Sequence, residues 1–251
     1  MSDTTKSIWF AVAMCLVCGT LLTTAATALQ SMQQKNVAND RRKNILMSAD
    51  LVDPQKSYSP SEISEIFKQN IVEFGVNTDG AIVAAEKTDA RQVLPIYLYS
   101  QKNRIEAYII PIETQGLWGK IYGYLALKND GATVAGFTVY QHSETPGLGG
   151  EIDKRWFQEN FEGKKIVNQN GNFVSVRVAK GAMEKQVPEA KQPHYVDGIS
   201  GATLTGKFLS QGLQQTLSEY EPVSVAFRKN RLRCQIQQEP EWCDQDETDK
   251  D

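Results

Sequence analysis

Residues 105–140 read IEAYIIPIETQGLWGKIYGYLALKNDGATVAGFTVY, and this stretch decides the fold. It contains three runs rich in β-branched, aliphatic and aromatic residues. These runs occupy positions 105–112, 121–127 and 133–140. Glycine-containing turn sequences separate them at 115–116 and at 129–131. The pattern predicts consecutive antiparallel strands, and a similar run at 94–99 adds a strand before them.

Helical signals lie on both sides of these strands. Ser59, Pro60 and Glu62 have the composition of a capping box with proline at the first helical position. The apolar residues that continue this helix at helical spacing are Ile63, Ile66, Phe67 and Ile71. A last amphipathic helix is predicted from Leu204 to Tyr220, with Leu204 among its inward-facing positions.

Two shorter elements are predicted between the strands and the last helix. Residues 153–161 indicate a helix with Trp156, Phe157 and Phe161 on one face. Residues 173–179 alternate valines with polar residues and indicate a strand. Together these elements predict an α+β fold, a mainly antiparallel sheet with packed helices, behind one N-terminal transmembrane helix.

The transmembrane prediction rests on residues 8–29, which are 22 residues without a charge. At about 1.5 Å per residue they span the roughly 30 Å hydrocarbon core. The length favours an uncleaved anchor, although the small residues at 24–28 leave cleavage after the segment as an alternative. Cys15 and Cys18 lie in this segment and are interpreted as small packing residues.

Charge excludes some functions and separates the C-terminal segment from the rest. The net charge of −3 offers no broad basic surface for phosphates, so nucleic acid is not expected as a partner. Residues 228–233 are basic and residues 239–251 are acidic, which indicates a solvated tail or a docking surface for a partner. Cys234 and Cys243 are either a disulfide pair or two free thiols.

Residues 197–203, Asp-Gly-Ile-Ser-Gly-Ala-Thr, lie directly before the last predicted helix. Gly198 and Gly201 permit close backbone approach to a ligand, and Thr203 falls where an N-cap residue is expected. A phosphate at such a helix start is stabilised by free N–H groups and the helix dipole. The same residues are also compatible with an ordinary capping threonine after a glycine turn.

A second cluster, residues 141–150, follows a predicted strand and precedes a predicted helix. Its three glycines and one proline predict an irregular loop with available N–H groups. His142, Glu144 and Thr145 can hydrogen-bond a ligand there. The alternatives are a histidine that bonds only locally and a glutamate that is merely solvated.

The order and spacing of these clusters resemble a known family. His-x-Glu-Thr-Pro-Gly-Leu-Gly from His142, followed about 50 residues later by Asp-Gly-x-Ser-Gly-Ala-Thr, resembles the FMN-binding domain of ion-pumping respiratory complexes. Residues 116–119, Gly-Leu-Trp-Gly, are a third match. Behind one N-terminal span, the set is similar to the C subunits of the Na⁺-translocating NADH:quinone reductases, over the anchor and residues 110–220.

The resemblance implies FMN bound covalently through its phosphate to Thr203, and an electron-relay role in an enzyme complex. No catalytic residue is predicted, and the spacing of the Cys and His residues predicts no metal site. The implied cofactor-binding residues are Thr203, Ser200, Gly201, Ala202, Asp197, Gly198, His142, Glu144, Thr145, Leu148, Gly149, Leu117 and Trp118. The implied partners are the other members of a six-subunit quinone reductase and a flavin transferase that installs the FMN.

The resemblance also implies a bacterial inner-membrane protein whose soluble domain faces the periplasm. The charges around the span favour the opposite side, with Lys6 before it and Lys35, Arg41, Arg42 and Lys43 after it. The expected domains are an anchor at 1–32, a stalk and the start of the soluble domain at 33–92, an FMN-binding domain at 93–228, and a charged tail at 229–251.

Two other functions remain open from the sequence. One is the equivalent flavin subunit of the ferredoxin-linked Rnf complex, which shares the flavin motif. The other is a membrane-anchored module of this fold without a redox role.

Overall fold

The structure, a computed structural model, describes residues 2–77, 79–83, 93–101 and 104–229. The chain divides into two compact units, Met1–Arg41 and Arg42–Asp251. Helix α1 (Asp3–Ser48) is long and apolar enough, by length and composition, to cross a membrane. Cys234, Cys243 and the acidic segment lie outside the described residues.

A six-stranded antiparallel sheet forms the centre of the second unit. Its strands are β1 (Ile71–Val76), β2 (Ile82–Val83), β3 (Leu94–Gln101), β4 (Arg104–Gln115), β5 (Lys120–Lys128) and β6 (Val134–Gln141). The strand order is β2-β1-β3-β4-β5-β6. The predicted strands β3 to β6 and the antiparallel α+β class are confirmed. Strands that follow one another in the sequence, from β3 to β6, also lie side by side in the sheet, as is common for short connections.

The start of the sheet differs from the prediction. Helix α2 (Pro60–Asn70) begins at the capping box, with the Ser59 N–H donating to a Glu62 carboxylate oxygen at 2.7 Å. It ends before Ile71, which does not continue the helix as predicted but opens β1 and pairs with Tyr99. A β-branched pair at 71–72 suits a strand, and pairing with β3 overrides the helical spacing.

Both faces of the sheet are covered, which explains the continuous apolar run in β4. Ile110 points into a core shared with Leu213 of helix α5 (Thr203–Glu219). Its neighbour Ile109 points into a second core, with Ile63 of α2 and Leu46 near the end of α1. Successive side chains of a strand face opposite sides, so a strand buried on both sides is apolar throughout.

The segment between the sheet and α5 contains less regular structure than predicted. Residues 153–161 form the end of a 3₁₀ helix (Gly149–Asp153) and a short helix α3 (Arg155–Glu159). Phe157 and Phe161 are buried as expected, but Trp156 is 46% exposed. In so short a helix, position 156 does not share the inward face of position 157.

The strand predicted over 173–179 is reduced to β7 (Arg177–Val178). It pairs in parallel with β8 (Tyr195–Val196), directly before the 197–203 segment. Ser175 has a φ of +65°, which is incompatible with a continuous strand. Between β7 and β8 lie helix α4 (Met183–Gln186) and a 3₁₀ helix (Glu189–His194).

Helix α6 (Glu221–Arg228) has no counterpart among the predicted elements. Its Phe227 stacks on Tyr108 of β4, with ring centroids 4.2 Å apart and planes 6° from parallel. The Tyr108 hydroxyl donates to the Ser224 hydroxyl at 2.9 Å, and burial raises the pKa of Tyr108 so that it remains a donor. This helix therefore closes the core at one end of the sheet.

We predict that Phe227→Ala lowers the free energy of unfolding by about 3–5 kcal/mol, because it removes a buried aromatic ring and its stacking on Tyr108. Urea denaturation followed by circular dichroism measures the change. Val72→Ala truncates a half-exposed strand residue and serves as the control, with an expected cost below about 1 kcal/mol. Equal losses in the two variants would show that α6 does not contribute to the core.

Candidate functional site

The three sequence clusters meet at one end of the sheet. The 116–119 turn joins β4 to β5, the loop from 142 follows β6, and the 197–203 segment leads into α5. Together they line an open cavity of about 330 Å³. Its lining consists of Leu117, Trp118, Glu144, Thr145, Leu148, Gly149, Gly201, Ala202, Thr203, Leu204 and Thr205.

A buried carboxylate holds the three segments together. Glu144 is only 4% exposed, so it is not a solvated residue. One of its oxygens accepts the backbone N–H of Trp118 at 3.0 Å, and the other accepts the hydroxyl of Thr205 at 2.5 Å. Charge-assisted hydrogen bonds of this kind are stronger than neutral ones, so the turn, the loop and the helix start are fixed relative to each other.

Two glycines make room for this carboxylate. A Cβ at Gly116 would lie 2.5 Å from one Glu144 oxygen. A Cβ at Gly149 would lie 2.7 Å from the other oxygen and 2.5 Å from the Thr205 hydroxyl. Neither position accepts a side chain without displacing Glu144, which gives both glycines a packing role.

The wall of the cavity is apolar and open to solvent. Trp118 is 68% exposed, and Leu117 and Leu148 are also exposed. Leu204, predicted to face inward, is instead 52% exposed because Thr205, Gly206 and Leu209 occupy the buried face of α5. Large apolar side chains exposed together around a concavity suit a flat aromatic ligand.

Thr203 occupies a different position from the one predicted. It is the first residue of α5, and the N-cap is Ala202, whose side chain makes no capping hydrogen bond. Thr203 is exposed, and its hydroxyl has no hydrogen-bond partner among the described residues. Thr205 is by contrast 2% exposed and bound to Glu144. The two hydroxyls therefore differ in availability.

Four of the predicted site residues lie outside the cavity lining. Asp197 accepts the Met183 N–H at 2.7 Å, and Gly198 packs against the backbone of residues 179–181. Ser200 is exposed on the turn before Thr203. His142 accepts the Glu144 N–H at its Nδ1, 3.1 Å away, and its Nε2 lies 3.4 Å from an Asp153 oxygen.

Three of these four residues stabilise segments that form the cavity, although they do not line it themselves. Asp197 and Gly198 attach the segment before α5 to its neighbours, and His142 orients the backbone of Glu144. Leu204 and Thr205 line the cavity without having been predicted to do so. The sequence does contain an indication of Thr205, because it is a second hydroxyl residue only two positions after Thr203. In the part of the chain that the structure describes, no group of three His, Cys, Asp or Glu side chains is arranged to hold a metal ion.

The chain is similar to known proteins along most of its length. The FMN-binding domain family model matches residues 116–218. The C subunit of the Na(+)-translocating NADH-quinone reductase from Pseudomonas aeruginosa is 34% identical over 234 residues, covering 82% of this chain and 88% of the relative. Its counterpart from Yersinia pestis is 32% identical over 258 residues, covering 91% and 94%.

A solved structure shares the fold. The crystal structure of the C subunit of the Na(+)-translocating NADH-quinone reductase from Parabacteroides distasonis matches with a TM-score of 0.66 and 34% sequence identity. The match covers 78% of this chain and 96% of that one.

We predict that Glu144→Ala destabilises the fold by about 3 kcal/mol, because it removes the acceptor for the Trp118 N–H and the Thr205 hydroxyl. Glu144→Gln should cost less, since its amide oxygen accepts the Trp118 N–H while its NH₂ donates to Thr205. Urea denaturation measures both variants. Glu162→Ala, at an exposed glutamate, is the control, and a loss for Glu144→Ala no larger than this control contradicts the assignment.

Proposed function

The chain belongs to the family of the C subunits of the Na(+)-translocating NADH-quinone reductases, and from this premise we propose that it carries FMN esterified through its phosphate to Thr203. It is a subunit of an oxidoreductase that translocates sodium. Family membership rests on relatives more than 30% identical over most of their length. In the proposed function, the chain relays electrons between cofactors of partner subunits.

The observation that carries the attachment site is the exposed hydroxyl of Thr203 at the edge of the apolar cavity. A phosphate there lies at the first turn of α5, a helix of 17 residues that begins without a side-chain cap. Free backbone N–H groups and the positive end of the helix dipole stabilise a phosphate at that position.

Thr205 is the competing hydroxyl, and its surroundings argue against it. Its hydroxyl group is buried and donates a hydrogen bond to a Glu144 oxygen, so an ester at Thr205 would break this bond and displace the carboxylate. Neither cost arises at Thr203. The choice between two hydroxyls two residues apart therefore follows from burial and hydrogen bonding.

The apolar wall suits a ring system that must exchange electrons with a partner. FMN supplies one-electron and two-electron redox chemistry when bound. Leu117, Trp118, Leu148 and Leu204 offer apolar contact on the wall of an open cavity, which leaves one side of a ligand accessible. A covalent link makes retention of the cofactor independent of how deeply its ring is buried.

The remaining residues of the site position this wall. Glu144 fixes the backbone of Trp118 through its N–H and fixes the first turn of α5 through Thr205. Gly201, with a φ of +75°, lies against Leu148, since a Cβ there would be 2.8 Å from a Leu148 methyl group. These contacts keep the leucine and the attachment residue adjacent.

Maturation, assembly and topology are part of the proposal. A flavin transferase that recognises residues 197–203 would install the FMN, and five other subunits would complete the complex. The chain would cross the bacterial inner membrane once, with the FMN-binding domain (93–228) in the periplasm. Basic residues after the span favour the opposite side, but loop charge orients long translocated domains weakly.

The flavin subunit of an Rnf complex is the less favoured function, because the relatives that match most of the chain are named as C subunits of the sodium-translocating reductase. A membrane-anchored module without a redox role would carry no covalent flavin, so the Thr203→Ala experiment below separates this function from the proposed one.

We predict that Thr203→Ala abolishes covalent flavin when the chain is produced in its native host. Thr203→Ser, which keeps the hydroxyl, and Thr205→Ala, which removes the other one, should retain it. In-gel fluorescence after denaturation detects covalent flavin, and mass spectrometry of the tryptic peptide containing residue 203 locates it. Flavin released from the wild type by denaturation, or mapped to Thr205, would refute the proposal.

We also predict that the domain after the anchor lies outside the cytoplasm. A reporter enzyme that is active only in the periplasm, fused after Asp251, should be active in the native host. A matched reporter that requires the cytoplasm should be inactive at the same fusion point. The reverse pattern would place the domain on the side that the charge distribution favours.

A further inference from the structure

A second cavity, larger than the first, also includes Thr203 in its lining. Its volume is about 590 Å³, and it lies between α5 and the residues from β7 to β8. Among the described residues, cationic side chains line this cavity and no carboxylate does. The cationic residues are Arg177, Lys180, Lys191 and Lys207. We name this the basic cavity.

Close packing of α5 on β7 brings these cations together from separate segments. Gly206 has no side chain, and a Cβ there would lie 3.0 Å from a Val178 methyl group. The Val178 N–H donates to the Ser210 hydroxyl at 2.9 Å, which fixes the position of β7 along the helix. Lys207 of α5 therefore lines the same cavity as Arg177 of β7, although the two are far apart in the sequence.

The cations of the basic cavity are available to an external anion. The ion pairs found within the described part of the chain involve none of them. Arg177 makes a side-chain hydrogen bond to the neutral Gln214 at 3.4 Å. Glu184 and Glu189, between β7 and β8, are exposed and do not line the cavity. Like charges around one concavity produce a positive potential that attracts anionic groups.

The positive charge of the basic cavity exceeds what the proposed ester needs. A phosphate bonded both to Thr203 and to the flavin chain is a diester, which carries a single negative charge. The cavity lining carries four positive charges. The lining therefore has the capacity to bind a second anionic group beside the ester.

Formation of the ester would supply such a group. FMN is a phosphate monoester, and joining it directly to a hydroxyl would release water, which an aqueous solvent opposes. A phosphoric anhydride of the flavin instead releases a second phosphate. The Thr203 Oγ forms a bond to the phosphorus that carries the flavin, and the bridging P–O bond breaks. The leaving phosphate keeps the electron pair of that bond, and the hydroxyl proton passes to solvent.

We propose that the basic cavity binds the second phosphate of a flavin phosphoric anhydride and holds it as the ester forms. This inference rests on the proposed function. Because Thr203 lines both cavities, the flavin chain extends toward the apolar wall of the first while the second phosphate enters the basic cavity. Cations near the leaving oxygen stabilise the charge that develops there, and Lys207, one helical turn from Thr203, is on the same face of α5.

The first test needs no flavin. The full chain is produced in a host without the flavin transferase, purified in detergent, and acetylated with and without inorganic pyrophosphate. Mass spectrometry should find that pyrophosphate slows the acetylation of Lys180, Lys191 and Lys207 severalfold. Lys185, an exposed lysine of α4 outside the cavity lining, should react at an unchanged rate. Orthophosphate at the same ionic strength should protect less, because it carries less charge.

The second test measures attachment. The purified chain is incubated with its flavin transferase and flavin adenine dinucleotide, which is a flavin phosphoric anhydride, and in-gel fluorescence follows covalent flavin over time. Lys191→Gln combined with Lys207→Gln should slow attachment severalfold. Lys68→Gln combined with Lys185→Gln removes the same charge at exposed lysines outside the cavity and should match the wild type. Added salt should slow the wild type more than the cavity variant, since salt screens the charges that the variant lacks.

Three outcomes would overturn the proposal. In the first, pyrophosphate protects the cavity lysines no more than it protects Lys185, or no more than orthophosphate does. In the second, pyrophosphate protects them but the cavity variant acquires flavin at the wild-type rate. In the third, polyglutamate protects the lysines and pyrophosphate does not, which identifies a docking surface for an acidic protein.

Failure of the proposed function gives a different result. Flavin located at a residue other than 203 would refute the ester, and with it the role of the basic cavity in attachment. Protection by pyrophosphate is measured without flavin and would be unchanged in that case. Loss of protection with flavin still at Thr203 would refute the cavity alone.

Discussion

The two hydrogen bonds accepted by the buried Glu144 carboxylate hold the segments of the site together. Glu144 lies on an irregular loop but binds the N–H of Trp118 in one turn and the hydroxyl of Thr205 in a helix. A carboxylate that is 4% exposed is costly to bury unless its oxygens are satisfied, so the three segments stabilise it as much as it organises them. Gly116 and Gly149 follow from this requirement, because a side chain at either would occupy the space of the carboxylate.

The sheet determines where the helix start can lie. Helix α5 packs closely on β4, since Gly212 has no side chain and any Cβ there would overlap that of Thr114. With the helix held against the strand, its first residue comes to the end of the sheet where β4 turns into β5. Thr203 therefore lines the same cavity as Leu117 and Trp118 because of packing farther along the helix, near Leu213 and Leu217.

The surroundings of Thr203 combine two different surfaces. On one side, exposed apolar side chains form a wall that suits an aromatic ring. On the other, the cationic side chains of Arg177, Lys180, Lys191 and Lys207 line a second cavity that also includes Thr203. A phosphate on the hydroxyl between them would experience the helix dipole and the nearby positive charge, whereas a ring attached to it would contact the leucines and the tryptophan. This division is compatible with the proposed FMN, a ligand that is both anionic and flat.

Strands β3 to β6 and the start of α2 were predictable from the sequence, since they depend on local alternation, turn residues and a capping box. The sequence also determined the order of the three clusters that meet at the cavity. Strand β1 and helix α6 were missed because both are short and are stabilised by partners distant in sequence, Tyr99 for Ile71 and Tyr108 for Phe227. Which side chains of the site are buried became known from the three-dimensional packing and not from the sequence. Helical spacing placed Leu204 and Trp156 inward, but their neighbours fill the core and both remain exposed. Loop composition described Glu144 equally well as a solvated residue, and no sequence pattern showed that the Thr205 hydroxyl is buried while Thr203 is exposed. Burial depends on which distant segments pack around a residue, and a pattern along the chain records periodicity but not those partners.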